Sequence, residues 1–280
     1  MGLRVKTILA LCIRNLKAFI RDRTRLFFSI LFPFFFVYIF SAIFRNESIS
    51  DPVPYMLVGI IIATVFETAL RISASTIDDM TSGFMKEVLV SPVARVSVAA
   101  GQFLSSAVIA AVEGFIILVV GFFVGFKVTS VLTLVYVTLL MIFVGLVFAG
   151  FGLFIATNTK NIQTFQIVSM AITMPMTFIS GAYIPFSLLP KTLVYVGYFN
   201  PMTYAVALFR TVALEKTSLS SEELLAEQLA LQIGGIVVMP WLAMLILFVF
   251  GLLFMVLSTL TFVRTDFSRM NRNKANSIEW

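Results

Sequence analysis

Hydrophobic positions run through this chain in long blocks rather than in alternation, and the blocks are too long for soluble helices. Six stretches carry roughly 20 apolar residues each, the length needed to cross a bilayer: about 26–44, 54–77, 98–125, 131–157, 162–180 and 240–263. Ahead of them, Val5, Ile8, Leu9, Cys12, Ile13, Leu16, Phe19 and Ile20 recur at helical spacing, with Arg14, Lys17 and Arg21 on the other side. That pattern predicts an amphipathic helix lying in the membrane interface and ending near residue 25. The expected fold class is therefore an all-α polytopic membrane protein of six transmembrane helices with an N-terminal interfacial helix.

The pattern breaks where it is most informative, between residues 165 and 210. An apolar run reaches Ser180-Gly181, gives way to pieces that start at Pro185 and Pro190, and resumes at Asn200-Pro201 and Tyr204 before Arg210. Proline fixes φ and lacks an N–H donor, so each one starts or breaks a turn, while Gly181 permits a sharp reversal. The stretch is apolar enough for the bilayer boundary and too interrupted to cross it. It predicts a re-entrant hairpin over 181–239, between the fifth and sixth spans. Backbone of that kind needs cover from protein or a wet cavity. Pro175 is expected to kink the fifth span. Within 211–239, Ser220 and Glu223 match a capping box ahead of Leu224 and Leu225, which predicts an outer amphipathic helix.

Composition changes the picture little. The chain is 60% hydrophobic and 12% charged, against about 25% charged in soluble domains. One cysteine, Cys12, excludes an intrachain disulfide, and the lack of histidine argues against a zinc or haem site. The charge is informative by position. Seven basic residues precede Leu26 against one acid, Asp22, and Arg264, Arg269, Arg272 and Lys274 follow the last span. The positive-inside rule places both termini in the cytoplasm of a plasma-membrane protein, and six crossings, an even number, agree with that. The excess base suits anionic inner-leaflet lipid rather than nucleic acid.

Candidate chemistry is sparse. Glu67 and Arg71 stand four residues apart on one face of the second span, and Glu113 sits near the middle of the third. Charges inside a membrane usually face an interior or a cavity. The spacing allows Glu67 and Arg71 to pair with each other, and it leaves open an Arg71–Glu113 pair across the bundle. The small residues Ala107, Ala110, Ala111, Gly114, Gly121, Gly145, Ala149, Gly150 and Gly152 predict close helix approach. Phenylalanine crowds the first span, from Phe27 to Phe44, which suits apolar cargo or lipid contact. The dipeptide Gly-Lys never occurs, so there is no phosphate-binding loop for ATP, and no nucleophile–histidine set exists. No catalytic residues are expected.

Between the second and third spans, Phe84, Met85, Lys86, Glu87, Leu89 and Val90 spell a short amphipathic helix, which Ser91-Pro92 terminates. With these residues in view, the chain resembles the permease subunits of ABC-2 type (type V) ABC transporters. Met85-Lys86-Glu87, Leu89, Ser91-Pro92 and Arg95 look like that family's cytoplasmic coupling helix over 84–92. Ser180-Gly181, Pro185, Pro190, Asn200-Pro201, Tyr204 and Arg210 look like its fifth span, outward hairpin and following helix. The resemblance implies a single domain with a cytoplasmic tail over 264–280. It implies two permease chains, a homodimer being the simplest pairing, with two separate ATPase subunits that hold ATP and Mg. It implies a cargo path between the permeases and export of a drug, lipid or other amphiphile, with cell-surface polysaccharide as an alternative cargo. Glu67, Arg71 and Glu113 carry no family role. They also leave open an ion-gradient-driven transporter or channel in which they form the relay, and a non-transporting assembly or sensor protein is a third reading.

Overall fold

A computed structural model describes residues 2–43, 51–81 and 94–264. Helix α1 (Gly2–Arg21) runs into α2 (Arg23–Ile43), then α3 (Pro52–Ile72) and the short α4 (Ala74–Thr81). After residue 94 come α5 (Arg95–Phe123), α6 (Val131–Thr157) and α7 (Ile162–Ile179). A 3-10 turn at Phe186–Leu188, α8 (Lys191–Tyr198), α9 (Pro201–Ala213), α10 (Ser221–Ala226), strands β1 (Leu231–Ile233) and β2 (Ile236–Val238), and α11 (Pro240–Arg264) complete the chain. Six of these helical segments are long and apolar enough to span a bilayer: α2, α3 with α4, α5, α6, α7 and α11.

Each break has a local cause. Asp22 separates α1 from α2 because its carboxylate accepts the Arg25 backbone N–H at 3.0 Å, as a helix cap does. Ser130 and Asn161 cap α6 and α7 in the same way, accepting from Leu132 and Thr164. Glu215, at φ 59°, reaches across to the start of α6 and accepts from the Thr129 hydroxyl and from the Thr129 and Ser130 N–H groups. The Thr129 hydroxyl, then that of Thr133, and then the two N–H groups hold its carboxyl below the usual range.

Helix α3 is the axis of the bundle. Fifteen of its residues are buried, from Tyr55 to Ile72, and it packs against α2, α5, α6 and α9. Small residues set how near its neighbours come. A Cβ on Gly145 of α6 would lie 3.0 Å from the Ala107 backbone of α5, and one on Gly152 would lie 3.0 Å from the Leu70 backbone of α3. Gly150 and Gly251 let α6 and α11 meet at Met255 and Val147. The outermost spans are α2, which buries only Pro33 and Val37, and α7, which buries only Phe165 and Thr177.

Two regions differ from the sequence expectation. Helix α1 packs lengthwise on the first half of α5, with Leu11 at Gly101 and Phe19 at Ile109. Its Val5, Leu9, Ile13 and Ile20 form an exposed stripe on the far side. Arg14, expected on a solvated face, turns inward to Asp79. The outer amphipathic helix is limited to Ser221–Ala226, with its capping box formed, and a two-stranded antiparallel hairpin follows it. Gly234 and Gly235, both at positive φ, make the turn that pairs Ile233 with Ile236.

Candidate functional site

Two charged side chains, Arg71 and Glu113, meet between α3 and α5, and a third, Glu67, lines the same cavity. Glu113 is buried, 1% exposed, and both its oxygens are engaged. One accepts the Thr68 hydroxyl at 2.6 Å, and the other faces Arg71 Nη2 at 3.4 Å. Arg71 also donates to Thr68 Oγ1 at 2.9 Å, which closes a triangle of three polar groups. The ion pair the structure forms is thus Arg71–Glu113, across the bundle. Glu67, the alternative partner by spacing, instead accepts from Thr177 of α7 at 3.4 Å. A buried carboxylate without donors would be costly in this setting, and Thr68 and Thr177 meet that need. Neither threonine is recognisable in sequence as part of the site, because a threonine in an apolar helix looks like any small residue.

These groups line a cavity of about 210 Å³ whose other wall is α2: Arg25, Phe28, Ser29, Phe32, Pro33 and Phe36. Arg25 is a residue that the charge pattern had assigned wholly to the positive end of the chain. Its guanidinium lies over the Phe19 ring at 4.9 Å. Tyr183, from the hairpin, closes the far end. Its ring stacks on Phe36 at 5.3 Å and on Phe40 at 5.8 Å, with Phe178 edge-on at 5.2 Å. The cavity therefore joins the charged layer to the hairpin along the aromatic face of α2.

The hairpin is fastened residue by residue. Ser180 ends α7, its hydroxyl donating to Thr177 O and accepting from Ala182 N. Gly181 reverses the chain at φ 86°, a conformation that side chains resist. Pro185 precedes the 3-10 turn, and Pro190 starts α8. Asn200 caps α9 by accepting from Met202 N, with Pro201 in the first turn, and donates to Met176 O at 2.7 Å. Tyr204 donates to Tyr198 O at 2.5 Å, tying α9 to α8.

Arg210 holds this assembly to the bundle. It is 3% exposed, donates Nε to Tyr55 O at 3.3 Å and Nη2 to Ala182 O at 3.1 Å, and lies 3.6 Å over the Tyr55 ring. No carboxylate forms an ion pair with it among the described residues. Gly59 makes room for it, since a Cβ there would sit 2.5 Å from both Arg210 Nη2 and Ala182 O.

At the opposite end, Arg14 and Gln102 both donate to Asp79 Oδ2, at 2.6 and 3.3 Å, and Asn15 donates to Gln102. This cluster joins α1, α4 and α5. Phe84, Met85, Lys86, Glu87, Leu89, Ser91 and Pro92 lie outside the described residues. Arg95, at the start of α5, donates to Val263 O at 2.7 Å and so links α5 to the end of α11.

The model of the ABC-2 type transporter family matches residues 6–214, about three quarters of the chain. The chain belongs to the ABC-2 type transporter family. It is also 24% identical over 204 residues to a Cyanophora paradoxa protein, ycf38, that bears the name of a transport permease, with 70% of each chain covered. The ABC-2 protein is thus a multi-pass membrane transport permease, and membership implies an ABC ATPase as its partner.

Proposed function

We propose that this chain is the membrane half of an ATP-driven exporter, moving a drug, lipid or other amphiphile out of the cytoplasm with work supplied by a separate ATPase. The carrying observation is the family match over residues 6–214 in a sequence that lacks a phosphate-binding loop of its own. In this reading two copies of the permease assemble with two ATPase subunits, and ATP and Mg stay at the ATPases. The segment 84–92 docks on the ATPase from the cytoplasm, where both termini also lie. Helices α2 and α7 are the spans with the least buried surface, which supports them as the faces that meet a second permease. Residues 181–213 then close the outer end of the path, with Arg210 as the fastener.

Affinity purification in mild detergent tests the assembly. The expected result is co-elution of an ABC ATPase in equal amount. Recovery of the chain with no ATPase, together with transport that dies when an ion gradient is collapsed, would favour the relay reading of Glu67, Arg71 and Glu113 instead. Glu87→Arg or Pro92→Leu should leave membrane insertion intact and separate ATP turnover from transport. Unchanged export in inverted vesicles would remove the coupling role from this segment.

A further inference from the structure

A crevice of about 420 Å³ between α8, α9 and the segment from α10 to β1 holds positive charge and no acid. Arg210 and Lys191 line it, and no aspartate or glutamate does. Arg210 spends Nε and Nη2 on the Tyr55 and Ala182 carbonyls. Its third nitrogen, Nη1, donates to no acceptor among the described residues. Nor is it one of the unpartnered donors sealed from solvent, so it keeps accessible surface. An arginine stays charged in any surroundings. Two carbonyl dipoles and the Tyr55 ring soften that charge without neutralising it. The acids nearby in sequence are engaged elsewhere: Glu227 pairs with Lys216 at 2.9 Å, Glu223 caps α10, and Glu215 accepts from Thr129. Lys191 is exposed and forms no ion pair among the described residues.

The rest of the wall points to what the charge would hold. Ser187 donates its hydroxyl to Gln228 Oε1 at 2.8 Å, which leaves the Gln228 amide nitrogen as a further donor. The Tyr198 hydroxyl is used on the Gln232 carbonyl at 2.9 Å. Phe186, Leu189, Val194, Val206, Leu225 and Leu231 make the remainder apolar. The volume is that of some fourteen liquid waters at about 30 Å³ each. A free inorganic anion would fill a small part of it. An anion that carries an apolar group would meet both the cations and the apolar wall.

We infer that this crevice binds the phosphate or carboxylate of an anionic amphiphile, with Arg210 Nη1 and Lys191 meeting the charge and the apolar wall covering the start of the tail. Charge-assisted hydrogen bonds of this kind are the strong ones. The binding itself needs no ATPase. Only the identity of the occupant as cargo rests on the exporter reading.

The test is isothermal titration of the full chain, purified in neutral detergent, with hexyl phosphate, hexyltrimethylammonium and inorganic phosphate. The first two share a tail and differ in charge; the first and third share an anion and differ in the tail. The expected result is one hexyl phosphate per chain, bound roughly tenfold or more tighter than either of the others. That is the equivalent of one charge-assisted contact against the cation, and of about two buried methylenes against the free anion. Lys191→Glu should weaken hexyl phosphate roughly tenfold and strengthen hexyltrimethylammonium, while Lys191→Arg should stay within about threefold of the native protein. Gln228→Glu puts a carboxylate on the crevice wall that can still accept from Ser187, and it should abolish hexyl phosphate binding. Both acidic variants keep Arg210 and its bonds to the Tyr55 and Ala182 carbonyls, so they test the site without removing the latch. Equal binding of hexyl phosphate and hexyltrimethylammonium by the native protein would overturn the inference. So would undiminished hexyl phosphate binding in the two acidic variants, or inorganic phosphate bound as tightly as hexyl phosphate. If hexyl phosphate binds as expected but no ATPase co-purifies, the site stands and the exporter reading fails. If the ATPase is present and hexyl phosphate does not bind, the reverse holds.

Discussion

Arg210 should be the costliest single side chain to remove from the hairpin. Truncation to alanine deletes two hydrogen bonds from a charged donor, each worth about 1.5–3 kcal/mol, and a desolvated cation–π contact worth about 2 kcal/mol. It strips Ala182 O of its donor. It also removes the cation's own desolvation cost, which offsets part of the loss as it does for buried ion pairs. The net expectation is about 2–4 kcal/mol. For a chain of this size that corresponds to a fall of roughly 3–7 °C in apparent melting temperature. The assay is loss of the monodisperse elution peak after heating in detergent, which tolerates irreversible unfolding. Gly59→Ala should act through the same latch, because the new methyl group would collide with Arg210 Nη2 and Ala182 O at 2.5 Å. The two changes should therefore be non-additive, the double variant losing less than the sum of the singles. An Arg210→Ala protein that melts within a degree of the native one, or strict additivity with Gly59→Ala, would refute the latch.

Other outcomes follow from the same geometry. Thr68→Val should destabilise by about 1–2 kcal/mol in the heating assay, since it removes the 2.6 Å donor to buried Glu113 while keeping shape. Glu113→Ala should cost more than Glu67→Ala, because Glu113 engages two partners and Glu67 one. Gly152→Leu should block folding, as its side chain would enter the Leu70 backbone at the α3–α6 contact, and fluorescence-detected elution of the expressed protein reads that directly. The Ser220 N–H, then its hydroxyl, hold the Glu223 carboxyl below its usual range. The capping-box contribution is therefore complete above the ordinary carboxylate pKa and fades as pH falls through the lower folded value. Exchange of the Leu224 amide, corrected for intrinsic rates, should rise through that acid window in the native protein, and Glu223→Gln should remove the pH dependence.

What could be read from the residues depended on how local each signal is. The six spans were legible because apolar length alone sets them, and the breaks at Ser180-Gly181, Pro185, Pro190 and Asn200-Pro201 were legible because proline and glycine act on their own backbone. The capping box at Ser220 and Glu223 is local in the same sense. The β1–β2 turn had a local signal too, Gly234-Gly235 between Leu-Gln-Ile and Ile-Val-Val. It was absorbed into a helix expectation because its strands are only three residues long. The Arg71–Glu113 pair could not be chosen over Arg71–Glu67 by spacing, since the register of α3 against α5 decides it. That register also brings Thr68 to Glu113, and the packing of α4 on α5 brings Gln102 to Asp79. Arg25 went unnoticed because an arginine at the start of a first span fits the general charge rule, and only the packing of α1 and α2 shows that its donors turn inward.

Reconstitution in sealed vesicles bears most directly on the claim that this permease moves amphiphiles only with work from a nucleotide-hydrolysing partner. The permease together with its co-purified ATPase should accumulate a labelled amphiphile against its gradient when ATP and Mg are added, and should stop when either is withheld. Uphill accumulation by the permease alone, driven by an ion gradient and indifferent to ATP, would contradict the account.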